Sequence, residues 1–258
     1  MIATDRWPFL VLREYVGAVG IIAGITHAWP AGIVAIIIGA LLVLGVATRW
    51  VAGLAAALLT AYSIKLGAIV QAPAVLAALA LTVALASTDK LWDWKHGTAP
   101  VMATVPARIY FGCAFWRAAW NKIGPKWAAW PDALTSFGTM NLPHEAPSYR
   151  AFMTTVVLPH ATLFAGLVAT GEVVVGTCLL LGLGVRIAAP IGAFLTLNYF
   201  LLKGDAPWSV SNDIAFVVGL TVLALTGAGR VFGLDGLIAA RHPVEQATQR
   251  HEGRIGGR

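Results

Sequence analysis

An acid inside an apolar run is the feature of this chain with the most chemical consequence. Glu172 stands in GEVVVGTCLLLGLGVR, and the next run, IAAPIGAFLTLNYFLLKG, carries one amide, Asn198. A charged side chain at the centre of a bilayer costs roughly 2.5–3.5 kcal/mol on insertion scales, so a carboxylate kept there calls for a partner. Depths follow from the arginines at segment ends, at about 1.5 Å of rise per residue. Glu172 lies about 21 Å above Arg186, and Asn121 and Lys122 about 20–21 Å above Arg108. Arg117 lies near about 13 Å, Asn198 near about 18 Å, and Lys203 and Asp213 near about 25 Å. These levels converge on one half of the membrane. Glu172, Lys122 and Arg117 are therefore the candidate catalytic residues, an acid with two cations in reach to handle protons. Asn198, Asn121 and Asp213 are the candidate binding residues for a polar head group. Plainer roles fit the same side chains. A buried acid–base pair can simply hold helices in register, lysines near helix ends can snorkel to the headgroups, and Asn212–Asp213 can cap a helix N-terminus.

The elements that hold these residues are membrane helices. Of 258 residues, 58% are hydrophobic and 12% charged, where a soluble domain carries about 25% charged. The expected fold is an all-α polytopic membrane bundle of about eight spans, near 10–27, 30–48, 50–70, 73–88, 102–123, 156–183, 187–203 and 212–228. Trp92 and Trp94 are expected interface anchors in a polar linker. Residues 124–152, rich in Trp and Pro, are too polar to span and are expected as an outer loop with a short surface helix. The opening MIATDRWPFLVLREYVG lacks the order of a signal peptide and is expected to be retained. Of the 18 Lys and Arg, twelve fall on the side of the two termini if both are cytoplasmic, which predicts a multi-pass protein of the inner (plasma) membrane with both ends inside. Arg49, Arg108, Arg186 and Arg230 are expected as interface anchors, and the basic tail as topological signalling rather than a nucleic-acid surface.

The chain also echoes itself. Ile37–Gly67 aligns without gaps on Val174–Gly204, pairing Gly39 with Gly176, Gly45 with Gly182, Arg49 with Arg186 and Tyr62 with Tyr199. Arg13 and Gly17 pair with Arg108 and Gly112. Two four-helix repeats of like orientation are expected, within 1–95 and 96–235, followed by the tail 236–258. Ala35 stands where the second copy has Glu172, and Ala61 where it has Asn198. The first copy reads as scaffold, and the chemistry belongs to the second.

No haem, flavin or metal motif is present. The six histidines do not pair at helical spacing, although His144 and His160 lie on the side of the polar set. Cys113 and Cys178 form no CxxC and read as packing residues.

Three patches, RIYFGCAFWRAAWNKIGPKW, GEVVVGTCLLLGLGVR and NDIAFVVGLTVLALTGAGRVFGLD, resemble in order the four-helix membrane proteins of the DoxX/DoxD family. Arg117 and the eight-helix layout depart from that family's pattern. The resemblance implies a membrane subunit of a quinone-linked oxidoreductase, thiosulfate:quinone oxidoreductase among the candidates. It implies quinone as the bound cofactor, and the lipid bilayer and a redox partner subunit as partners. The alternative is a non-catalytic anchor or assembly subunit of a larger redox complex. A transporter is disfavoured because no helix is broken at the pocket.

Overall fold

The computed structural model describes residues 3–26, 31–67, 72–87, 98–203 and 207–240. Trp92, Trp94, His27 and the tail from Arg241 onward lie outside the described residues. The α-helices of the described chain include α1 Trp7–Thr26, α2 Ala31–Val43, α3 Thr48–Leu66, α4 Ala72–Ala86, α5 Val105–Trp120, α6 Trp130–Asn141, α7 Pro147–Phe152, α8 Ala161–Leu181, α9 Val185–Lys203 and α10 Pro207–Thr226. Two short antiparallel strands, β1 Ala3–Asp5 and β2 Thr98–Pro100, tie the N-terminus to the start of α5.

The architecture is a helical bundle of membrane type. Among the described residues, three helical runs are long and apolar enough to cross a bilayer: Trp7–Thr26, Pro147–Leu181 and Val185–Lys203. Shorter apolar helices are Gly32–Val43, Ala72–Ala86 and Asn212–Thr226. The second run is one long path because α7 continues into α8 through a π-helical turn, Met153–Val157, and a 3-10 turn, Leu158–His160. Pro159 has no N–H to donate, and the helical ladder adjusts around it. Large apolar side chains point outward all along the bundle, Ile64 73% and Ile187 71% exposed among them. So much exposed hydrocarbon suits lipid and not water.

α1 packs on α2 and α3 on α4, while α5 packs on α8 and α9 on α10; α4 also touches α1, α5 and α10. The closest crossings are at glycine. A Cβ on Gly39 would sit 2.5 Å from the Gly17 carbonyl oxygen, and one on Gly176 would sit 3.2 Å from the Gly112 carbonyl oxygen. Small residues let helices in a membrane approach in this way. Where α5, α8, α9 and α10 meet, Phe111, Phe115 and Phe216 fill the core, with the Phe111 and Phe216 rings 4.9 Å apart.

One turn is drawn twice. After α2, Gly45 N–H donates to the Leu42 carbonyl and Val46 N–H to Leu41; after α8, Gly182 N–H donates to Leu179 and Leu183 N–H to Cys178. Each is the left-handed glycine cap that ends many helices. The next helix then starts on a second left-handed residue, Ala47 at φ 45° in one case and Gly184 at φ 57° in the other.

The arginine expected at the interface on α5 is instead inside the protein. Arg108 is 2% exposed. Its guanidinium donates to the carbonyls of Ala228 (2.8 Å), Val231 (2.8 Å) and Phe232 (2.7 Å), the free carbonyls past the end of α10. A planar fork of donors suits three converging carbonyls better than a lipid phosphate. Beside it, Asp235 accepts from the backbone N–H groups of Gly184 and Val185 at the start of α9.

Candidate functional site

α5, α8, α9 and α10 surround a cavity of about 430 Å³, with α6 folded over one side. Helical periodicity supplies the wall. On α9, Thr196, Tyr199 and Lys203 recur at i, i+3 and i+7 and share one face. On α10, Asn212, Asp213 and Phe216 do the same at i, i+1 and i+4. α5 contributes Phe115 and Ala118, with Asn121 and Lys122 just past its end, and α8 contributes Glu172.

Glu172 is 1% exposed and Lys122 8%. The Lys122 ammonium donates to Oε1 at 2.8 Å and to Oε2 at 2.7 Å, and also to the Ala118 carbonyl at 3.2 Å. Tyr199 donates its hydroxyl to Glu172 Oε1 at 3.0 Å. The same ammonium lies 4.8 Å from the Trp130 ring centre and 5.8 Å from that of Tyr199, a cation–π box. A second pair stands across the cavity. Lys203 donates to both oxygens of Asp213, at 3.1 and 2.8 Å. Its ammonium lies 5.8 Å from the other side of the system, at the Tyr199 ring. Tyr199 therefore links the two pairs, by its hydroxyl to one and by its ring to both. Asn212 donates its amide N–H to Asp213 Oδ1 at 3.2 Å, which leaves Asn212 Oδ1 buried with no hydrogen-bond partner.

Among the described residues, Lys122 is paired with Glu172 and Lys203 with Asp213. Neither pair is shielded by much water, and the attraction inside each pair is correspondingly strong. The aromatic walls of Phe115, Phe137, Trp130 and Phe216 suit a flat apolar ring.

Four of the six residues picked from sequence lie at the cavity: Glu172, Lys122, Asn121 and Asp213. Asn121 is exposed, with its oxygen accepting from Lys126 at 3.2 Å. Arg117 is exposed and outside the cavity lining. Five residues before Lys122, it sits about 140° around the helix, at about 100° per residue. Asn198 is also outside the lining. Its amide donates to the Phe194 carbonyl at 2.8 Å and its oxygen accepts from the Tyr149 hydroxyl at 3.3 Å, fastening α7 to α9. Asn212 and Asp213 do not cap a helix, because α10 begins five residues earlier at Pro207.

Tyr199, Trp130 and Phe137 were not anticipated at the site. The face of α9 that holds Lys203 also holds Tyr199, so the spacing carried that signal. Trp130 carried none. Its indole N–H donates to the Ala165 carbonyl at 3.0 Å and brings α6 down onto α8, where a surface helix was expected. Cys113 is exposed and Cys178 half-buried, both as free thiols. His160 is exposed, with Nδ1 2.9 Å from the Val156 carbonyl. No group of three or more His, Cys, Asp or Glu is arranged for a metal among the described residues.

The Lys122–Glu172 pair, the box around Lys122 and the α5–α8 crossing all draw on one stretch of the chain. Residues 103–203 match the model of the DoxX family. The matched stretch covers less than half of the chain, and it holds Lys122, Trp130, Glu172, Tyr199 and Lys203; Asn212 and Asp213 follow it. No curated protein matches the chain, and no solved structure does.

Proposed function

We propose that the chain is the integral membrane subunit of a quinone-linked oxidoreductase, with the cavity around Glu172 as the seat of the quinone head group. The observation that carries this reading is the Lys122–Glu172–Tyr199 cluster, a desolvated proton-bearing group set on a cavity large enough for a substituted ring. Polar groups kept at such depth against an apolar wall are the ordinary make-up of a ligand site. The residues fit the guest. Phe115, Phe137 and Phe216 supply apolar wall, the lysines supply cationic donors, and Asn212 Oδ1 is an acceptor with no partner. A quinone takes up two electrons and two protons when it is reduced. Lys122 and Glu172 hold a proton at the cavity wall, Tyr199 orients Glu172 by its hydrogen bond, and Trp130 and Phe137 keep water away. The electrons come from a small sulfur compound such as thiosulfate, or from a partner subunit.

The layout belongs to the same proposal. The chain is an eight-span, two-copy bundle with both termini in the cytoplasm. The doubled glycine cap and the paired Gly17–Gly39 and Gly112–Gly176 crossings support the duplication. The distribution of Lys and Arg supports the orientation.

The test is Glu172→Gln in membranes, with thiosulfate-driven quinone reduction followed optically. The expected result is a loss of at least tenfold in turnover with the protein level unchanged. Unchanged turnover removes Glu172 from the mechanism.

A further inference from the structure

A second cavity, of about 550 Å³, lies among α1, α2, α3 and α4. It occupies the place in the first half that the polar cavity occupies in the second. On α1, Gly20 and Ala23 line it, at the positions that the Arg13–Arg108 match pairs with Phe115 and Ala118. On α2, Ala35 stands in for Glu172; on α3, Leu59 and Tyr62 stand in for Thr196 and Tyr199. On α4, Ala72, Pro73 and Leu76 repeat the i, i+1, i+4 spacing of Asn212, Asp213 and Phe216. The hollow is retained, while Ala35, Ala72 and Pro73 stand in it where Glu172, Asn212 and Asp213 stand in the other.

Such a hollow has a narrow choice of contents. Water needs two to four polar partners, and an apolar cavity stays dry. A dry void of about 150 Å³ already takes a benzene-sized guest, and this one is several times that volume. Left empty, its lining would forfeit dispersion contacts over its whole area. A partner helix is too large: a span of about 30 Å at about 10 Å across fills roughly 2,400 Å³. A long, thin, apolar guest fits. The rim residues Val34, Leu58 and Tyr62 are 46%, 46% and 45% exposed, so the hollow opens on the same side as the outward hydrocarbon surface of the bundle. What lies against that surface in a bilayer is lipid tail, present at solvent concentration. Tyr62 joins an apolar ring to a polar hydroxyl, the combination favoured where a chain meets its headgroup.

We propose that this first-half cavity is a binding site for one acyl chain of a bilayer phospholipid. The chain enters past Val34 and Leu58, runs along Ala35 and Gly20, and meets Tyr62 near its head. The site is separate from the polar cavity and does not depend on what that cavity binds.

The experiment is native mass spectrometry of the full chain released from phospholipid nanodiscs at rising collision energy. The expected result is one phospholipid retained per chain after the annular lipids are gone. Ala35→Phe, which fills the hollow, is expected to lower that retention at least tenfold, while Leu59→Ala, which widens it, keeps the lipid. Circular dichroism and thermal unfolding check that each variant is folded. If Ala35→Phe is misfolded, Gly20→Leu takes its place, its Cβ having no neighbour nearer than 3.4 Å. Retention unchanged in the folded filled variant, no lipid retained by the parent, or an isoprenoid retained in place of phospholipid would each overturn the proposal.

Discussion

Removing one member of the Lys122–Glu172 pair should cost far more than removing both. Lys122 supplies two of the three hydrogen bonds that Glu172 accepts, at 2.8 and 2.7 Å, and the carboxylate is 1% exposed. Lys122→Met leaves that carboxylate with Tyr199 alone, and an uncompensated buried charge costs about 3–5 kcal/mol. Glu172→Leu leaves the ammonium with the Ala118 carbonyl and the Trp130 face, and a cost of about 3 kcal/mol is expected. The double variant restores a neutral, apolar interior, which is commonly neutral or stabilising by about 1–4 kcal/mol. With singles near 3 and the double within about 1 of the parent, the coupling is at least about 5 kcal/mol. The assay is reversible unfolding in mixed micelles, with denaturing detergent as the titrant and helicity as the readout. Singles that each cost under about 1 kcal/mol would refute the reasoning, because the pair would then behave like an exposed one. The double variant has a further use. If it is stable and yet fails to reduce quinone, the pair serves chemistry and not only register.

Two other outcomes follow from features away from that pair. Glu145, between α6 and α7, is 4% exposed and both carboxylate oxygens lack hydrogen-bond partners. Burial pushes its carboxyl above the usual range, with Arg150 pulling more weakly the other way. A carboxyl raised in the folded state contributes stability below its unfolded value and loses it as pH rises through the folded one. Hydrogen exchange over residues 142–152, corrected for intrinsic rates, should show protection in acid that falls as pH rises, and Glu145→Gln should flatten that profile. At Ala47, a left-handed φ of 45° costs an L-residue about 1–2 kcal/mol, part of which glycine returns as unfolded-state entropy. Ala47→Gly is expected to stabilise by about 0.5–1 kcal/mol in the same micelle assay.

Much of this was legible in the sequence, and the exceptions have physical reasons. Counting residues from Arg108 and Arg186 put Glu172 and Lys122 at one depth, because rise per residue in a helix is constant. Depth says nothing of azimuth. Arg117 shares the helix of Lys122 but looks away from the cavity, and Asn198 is one residue, about 100°, from the Tyr199 that does face it. The helical positions lay within a few residues of expectation, yet α2 is only 13 residues long because Gly45 turns the chain early. α6 was expected at the surface, and only Leu134 and Gly138 of its 12 residues are buried. The contact that seats it on α8, Trp130 to the Ala165 carbonyl, depends on a tertiary neighbour that no local pattern encodes. Arg108 looked like an interface anchor for the same reason: its acceptors are backbone carbonyls, which leave no mark in the sequence.

Those acceptors set a timetable for synthesis. The carbonyls that hold Arg108 lie 120 to 124 residues further along the chain. At about 5–20 residues per second, a ribosome needs roughly 6–24 s to deliver them. During that interval a nascent α5 carries a guanidinium with nothing of its own to grip, so water and lipid phosphate must hold it at the rim of the bilayer. Assembly thus includes a clasp, in which the segment after α10 releases α5 from its temporary hosts and closes the bundle at one end.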